Sequence, residues 1–446
     1  MKKSPVFACT LVAAAALLAP LTATAASNVG KRYSSEKTAY VDPVTGVPIT
    51  VLTTSPANDA KLYQTHPQWT SDGSHIVFRS NRASPEGSRE AQAFAVNVVT
   101  GDIVQLTDHP GTGTGSLNVA HKSMRLFFFR RETETAQPRL VELDLKRLLA
   151  DAYAGTVAAP DTYERIVATL PDGLRESGGF SIDADESKAY VGVGWGERDQ
   201  AQFQRAATAS RVPQTQSGSG GPGVDREAAR QRFELAGRGP GGIRSIDLDT
   251  GEVKTVIDVD LRMGHVQTNY WAPGEIMYCH ETTGDAPQRM WFVRADGSDH
   301  RPLYVETLDE WVTHEVFVDA DHIMFNVMGH LDYLRKKPTG VFLLNTRTDD
   351  VRVLGQGPDR GFWHCNGSPD RRWAVADDFD GNITLINRES GEMTVLSTNH
   401  KMRPDHAHPT FHPDSRQILI QSGLLTDGKS LDLMVINIPP HILERR

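Results

Sequence analysis

One short pattern returns along the length of this chain, and a chain built of repeats has few architectures open to it. The pattern is clearest in "HPQWTSDGSHIVFRS" from His66, "HCNGSPDRRWAVAD" from His364 and "HPTFHPDSRQILIQS" from His408. Each copy starts at a histidine and passes a few small or aromatic residues. It then turns at an aspartate six residues on (Asp72, Asp370, Asp414) and enters an apolar strand. Looser copies are "LNVAHKSMRLFFFR" from Leu117, "GGFSIDADESKAYVGVG" from Gly178, "NYWAPGEIMYCHE" from Asn269 and "HEVFVDADHIMFNV" from His314, which makes seven. Most copies are followed by strand, turn and strand, as in "AVNVVTGDIVQLT" and "RSIDLDTGEVKTVI". Thr-Gly and Asp-rich turns between alternating strands signal β-hairpins. Each unit therefore offers four strands in about 40 to 50 residues, which is a propeller blade. The expected fold is all-β, a seven-bladed β-propeller, with eight blades the competing count.

The two ends of the repeat array support a closed ring. The copy at His408 has one further strand, "LDLMVINI", and then the repeats stop. A spare hairpin, "VDPVTGVPITVLT" from Val41 to Thr53, stands near the N-terminus. It is expected to complete the last blade; the other reading is a separate two-stranded cap. One stretch, residues 196–242, breaks the pattern and is rich in Gly, Ser, Pro and Gln at its centre. It reads as a flexible insertion in the third blade, with a short helix over Asp225 to Leu235. A surface excursion and a flap over the central channel both fit it.

The first 26 residues set the expected compartment. Lys2 and Lys3 precede an apolar run from Val6 to Leu18, and small residues surround Ala23 to Ala26. That is the layout of a cleaved secretory signal, with cleavage near Ala25 or Ala26. The run is short for a membrane anchor. The propeller is then residues 27–446, in the periplasm or outside the cell. The formal charge of −9 becomes −11 once the two lysines are gone. No basic run appears, so nucleic acid is not an expected partner, while a local positive pocket for an anion remains open. The cysteines beyond the signal are Cys279 and Cys365, which could pair.

In a propeller the first strand of every blade lines the channel, so residues just before those strands gather at one mouth. His66, His364 and His408 hold equivalent repeat positions, His314 is close to that phase, His265 precedes the fourth inner strand, and His406 stands two residues before His408. Residues at i and i+2 of an extended segment share a face, so His406 and His408 can reach one ion. With His314 they make a three-nitrogen set suited to a divalent transition metal. A structural role in the channel loops is the alternative. Arg403 and Arg244 are candidate carboxylate clamps. Asp72, Asp370 and Asp414 read as turn formers. No G-x-S-x-G nucleophile motif is present, which argues against a serine hydrolase.

At these residues the sequence resembles the oligogalacturonate lyases, a family of polysaccharide lyases with a seven-bladed propeller. The resembling segments are "GHVQTNYWAPGEIMYCHE" from Gly264, "WVTHEVF" from Trp311, "WHCNGSPDRRWAVADD" from Trp363 and "PDHAHPTFHPD" from Pro404. With the "IDLDTGE" hairpin they span roughly Ile243 to Ser422, nearly half the chain. The resemblance implies cleavage of short, pectin-derived uronate oligomers by β-elimination with a bound divalent metal, usually manganese. It implies His265 in proton transfer and His314, His406 and His408 as metal ligands. Arg403 stands where the family has a glutamine ligand, and Arg244 lies near, but out of register with, a family arginine. Arg403, His364 and Gln267 are the expected substrate-binding residues, and His265 and Arg244 the catalytic ones. The expected partner is an anionic oligosaccharide. The rival class is a non-catalytic periplasmic binding propeller of the TolB type, in which the histidines would be structural.

Overall fold

The computed structural model describes residues 27–85, 90–195, 241–260, 262–281, 288–306, 310–328, 339–357 and 361–444. The signal-like segment and almost all of the 196–242 insertion, including its expected helix, lie outside the described residues. Seven antiparallel sheets carry nearly all the regular structure, and they form a seven-bladed propeller. We number the blades by their innermost strands: Asp59–Lys61, Asn118–Val119, Leu174–Ile182, Met263–Thr268, Val312–Phe317, Phe362–Gly367 and Thr410–Phe411.

The strands form where β-branched and aromatic residues alternate or run together between turn formers. Second strands such as His75–Ser80 ("HIVFRS") and Trp373–Asp378 are almost wholly buried, because neighbouring blades cover both faces. Fourth strands meet solvent, leaving Val351 and Val353 exposed while Leu354 is buried. The core is a ring of apolar layers. In one layer Trp373, Val375 and Leu385 of blade 6 pack against Phe411, Ile418, Ile420 and Ile436 of blade 7. Each such side chain contributes about 1.5–3 kcal/mol when fully buried.

The spare N-terminal hairpin does complete the last blade. Strand Pro48–Val51 pairs with Asp432–Asn437 (Thr50↔Val435), and Thr38–Val41 adds beyond it (Ala39↔Thr50), so blade 7 has five strands. A further short strand, Arg32–Tyr33, joins the outer edge of blade 1. The N-terminal segment thus binds the last blade and the first. Asp42 fastens it to blade 6, its carboxylate accepting from Thr398 N at 2.7 Å and Ser397 Oγ at 3.1 Å.

Three details differ from the sequence reading. His265, His314 and His364 lie within their inner strands rather than just before them, whereas His406 and His408 do precede Thr410–Phe411 and His66 follows Asp59–Lys61. A helix, Leu145–Ala154, interrupts blade 2 between its third and fourth strands, capped by Asp144 at one end and by Gly155 in a left-handed conformation at the other. Its Leu145, Leu148 and Leu149 extend the core between blades 1 and 2. Cys279 and Cys365 are both buried and free, so they do not pair. The turn aspartates behave as read: Asp72 accepts from Thr70 Oγ1 and Ser74 N, Asp370 from Ser368 Oγ and Arg372 N, and Asp414 from Arg416 N. Among the described residues no helix is long and apolar enough to cross a membrane.

Candidate active site

The repeat brings its histidines together by register. His265, His314, His364 and His408 each stand three residues before the last paired residue of their inner strand, namely Thr268, Phe317, Gly367 and Phe411. His66 has the same offset from Trp69, which bridges to Ile76. In blades 3 to 6 this position falls in a β-bulge, which turns a side chain out of the ladder. His265, His314 and His408 have φ of 48°, 56° and 49°. Non-glycine residues in that region cost about 1–3 kcal/mol each and concentrate at functional sites.

Blades 2 and 3 depart from the pattern, with Ser116 and Gly179 at the corresponding register. Where the bulky ring is missing, a cleft opens. It holds about 340 Å³ and is lined by Gly178, Gly179, His265, Tyr63 and His408 among others. That volume suits a small ligand of one or two sugar rings. Gly178 leaves no room for a side chain, since a Cβ there would lie 2.7 Å from the Met263 carbonyl oxygen.

Two groups of side chains line this mouth. The first is built on His265. Its Nδ1 lies 3.1 Å from Glu315 Oε1, and Arg289 Nε donates to Glu315 Oε2 at 3.0 Å. Burial opposes the Glu315 charge, but Arg289 and His265 more than offset it and hold the carboxyl well below the usual range. An ionised carboxylate only accepts, so His265 Nδ1 carries the proton and Nε2 the lone pair. Arg289 Nη2 also lies 3.3 Å from Nδ1; it would donate there only in the opposite tautomer.

The second group is centred on His364, whose ring centroid is 4.1 Å from that of His314, 3.8 Å from His408 and 5.4 Å from His406. His364 Nδ1 donates to Asp377 Oδ2 at 3.0 Å, and His314 Nδ1 donates to the Trp363 carbonyl. Both bonds leave Nε2 as the free acceptor, the arrangement that ligating histidines adopt. Burial and the charges of neighbouring histidines, with Arg289 adding to the effect at His314, push His314 and His364 well below the ordinary imidazole range, and burial lowers His406. Neutral imidazole is the form that binds metal. His406 Nδ1 and His408 Nδ1 are buried without a hydrogen-bond partner, and His364, Asp377 and His406 stand close enough to share one ion. These residues therefore fit a divalent cation. His265, Cys279 and Glu315 are similarly close, but Arg289 already supplies the positive charge there.

The expected site residues fall into three sets. His265, His314, His364, His406 and His408 come together at the mouth. Gln267 is buried as a strut, donating to the Glu315 carbonyl at 2.9 Å and accepting from Phe317 N at 3.4 Å, which ties inner strands 4 and 5 together. Arg244 is on the third strand of blade 3, where its guanidinium pairs with Asp258 at 2.6 Å and stacks over Trp195, so its charge is committed away from the histidines. Arg403 is exposed in the loop leading into blade 7. Sequence reasoning missed Glu315, Arg289, Tyr63 and Asp377. Glu315 had a signal, being a lone carboxylate inside the inner strand "VTHEVF". Tyr63 had none; it is placed by blade 1, its ring 5.1 Å from His265 and 5.3 Å from His408.

No family model matches the chain. Two curated relatives are an oligogalacturonate lyase of Dickeya dadantii (strain 3937) and an oligogalacturonide lyase of Pectobacterium atrosepticum. Each is 26% identical, over 223 and 213 residues, which is 41% of this chain and 52% of the relative. The chain thus spans about half the length of the curated relatives it matches. Among solved structures, an oligogalacturonate lyase in complex with manganese superposes with a TM-score of 0.72 at 21% identity, covering 93% of this chain and 100% of that one. An oligogalacturonate lyase from Vibrio parahaemolyticus gives 0.72 at 18% identity, covering 93% and 99%. At this identity the likeness is one of fold. Sequence and fold comparisons both agree with the resemblance read from the histidine motifs.

Proposed function

We propose that this protein is a lyase acting on oligogalacturonides, the short uronate oligomers derived from pectin, by β-elimination. The observation that carries the reading is the His265–Glu315–Arg289 unit on the wall of a cleft that also borders the histidine cluster through His408. The names of the relatives support the same substrate class.

β-Elimination removes the proton on C5, next to the uronate carboxylate, and expels the oxygen on C4. His265 Nε2 is the group suited to take that proton, because Glu315 fixes the tautomer that leaves its lone pair free. Glu315 and Arg289 hold the ring in place and offset the positive charge His265 gains. Tyr63 packs against the His265 ring and restricts its rotation. Burial raises the Tyr63 hydroxyl well above its ordinary range, so it stays protonated and can donate to the leaving oxygen. A divalent cation, manganese by analogy with the bound structure of similar fold, would be held by His364, Asp377 and His406, which stand close enough to share one ion, with His314 and His408 packed beside His364. Its chemistry would be to neutralise the carboxylate and stabilise the enolate-like charge. The signal-like layout of residues 1–26 supports a periplasmic or secreted location.

The test is ultraviolet absorbance of the unsaturated product on a panel of uronate oligomers, with and without chelator. Product from oligogalacturonides that His265→Ala abolishes supports the reading. Absence of product from every uronate, in protein that contains metal, contradicts it.

A further inference from the structure

Lys61 ends the inner strand of blade 1 and lines the cleft beside His265 and His408. Its side chain is almost wholly buried. Nζ donates to the Leu62 carbonyl at 3.0 Å and to Thr410 Oγ1 at 2.9 Å, two of the three bonds an ammonium can give. Among the described residues no carboxylate lies within ion-pair distance of it. The two whose charge reaches it are committed elsewhere. Asp405 accepts from His406 N at 2.9 Å and Gln421 Nε2 at 3.1 Å, and it lies 3.4 Å from His408 Nε2. Asp377 accepts from His364 N at 2.6 Å, His364 Nδ1 at 3.0 Å and His408 N at 3.1 Å. A buried lysine is ordinarily paired; one that is not, on a cleft wall, is a cation waiting for an anion. Arg79 and Arg262 also line the cleft, and Arg79 feels the same Asp405 charge that reaches Lys61.

We propose that Lys61 is the anion anchor of the cleft, a fixed ammonium that receives the carboxylate of an acid sugar beside His265 and rejects the neutral or esterified sugar. The inference rests on the uronate reading above and adds the residue that enforces it. Neither Arg403, exposed in its loop, nor Arg244, paired with Asp258, supplies that charge at the cleft wall. Burial pushes the Lys61 ammonium down to about 7 against the pull of Asp377 and Asp405, and an arriving carboxylate would restore its charge.

Galacturonate, its methyl ester and galactose test this, since none has a glycosidic bond to cleave. Titration of the metal-loaded protein is expected to show binding of galacturonate over the other two, a loss of at least about tenfold in Lys61→Met, and retention in Lys61→Arg. Lys61→Gln serves as the uncharged variant should the methionine variant fail to fold. Equal binding of galacturonate by wild type and the uncharged variant overturns the anchor. So does equal binding of acid and ester by wild type, or binding of none of the three. Lys61-dependent binding in a protein that forms no unsaturated product leaves the anchor standing and removes the lyase reading.

Discussion

At the scale of single residues, the account places proton transfer on His265 and its orientation on Glu315. His265→Ala is expected to lower kcat by about 10²–10⁴-fold, the usual contribution of a positioned base. The far-ultraviolet circular dichroism should be unchanged, because His265 is partly exposed and sits in a bulge rather than in the apolar layers. Glu315→Gln presents an amide where the carboxylate was. The carboxamide oxygen can still accept from His265, but the charge that supports the protonated ring is gone, and Arg289 keeps only its longer ion pair with Glu281 at 3.7 Å. Steady-state kinetics should show kcat falling with KM little changed; an unaltered kcat would remove Glu315 from the account. Most of the histidines were legible because they recur at one place in a repeat, and His406 because it stands two residues before one of them. Glu315 and Arg289 were harder to see, since they belong to different blades and meet only through the ring. Arg244 looked plausible because it sits near a family motif, but it points to Asp258, and nothing in the sequence shows which strand's neighbour will take a charge.

At the scale of elements, the inner strand does two tasks at once. Its end pairs in the sheet, while its bulge gives up a ladder bond to turn a histidine inward. The hairpin of residues 38–51 does the closing. Ile49 and Val51 insert into the apolar layer with Met434 and Ile436, and Asp42 bonds across to blade 6. Ile49→Ala is expected to cost about 2–5 kcal/mol in urea unfolding, against no measurable change for Val44→Ala, whose side chain is 72% exposed. Equal small effects at both positions would mean that the hairpin is not part of the cooperative unit. This closure was readable from a strand left without a partner at one end of the repeats and a spare hairpin at the other. The helix Leu145–Ala154 was not, because it lies between the copy from Leu117 and the copy from Gly178, in a stretch that the repeat pattern leaves unread.

At the scale of the whole molecule, the seam between the last and first blades carries a charge imbalance. Arg82 pairs with Glu36 at 2.9 Å and with Asp59 at 2.5 Å, while both carboxyl oxygens of Asp432 are buried without a hydrogen-bond partner. Burial first, then the charges of Asp59 and Glu36, raise Asp432 from 3.8 to about 7. A raised folded-state value means that the protein is favoured with Asp432 protonated. Its contribution is complete below pH 3.8 and is lost as pH rises through about 7. Asp432→Asn should therefore melt higher than wild type above neutral pH, by at least about 2 °C, with the gain shrinking toward pH 4. A gain independent of pH would assign the effect to something other than this carboxyl.

The seven-fold repeat, the ring closure and the gathering of histidines were all present in the sequence as periodicity. The cleft was not, because it depends on two blades where the repeat lacks its histidine, Ser116 and Gly179. The central claim is that this gap, walled by His265, binds and cleaves a uronate oligomer. Its most direct measurement is the ultraviolet absorbance of the metal-loaded protein mixed with trigalacturonate, beside His265→Ala under the same conditions. The account predicts a steady rise for wild type, at most about a hundredth of that rate for the variant, and loss of the rise on chelation. A wild-type trace that stays flat while the protein is folded and holds metal would contradict it, as would a variant that matches the wild-type rate.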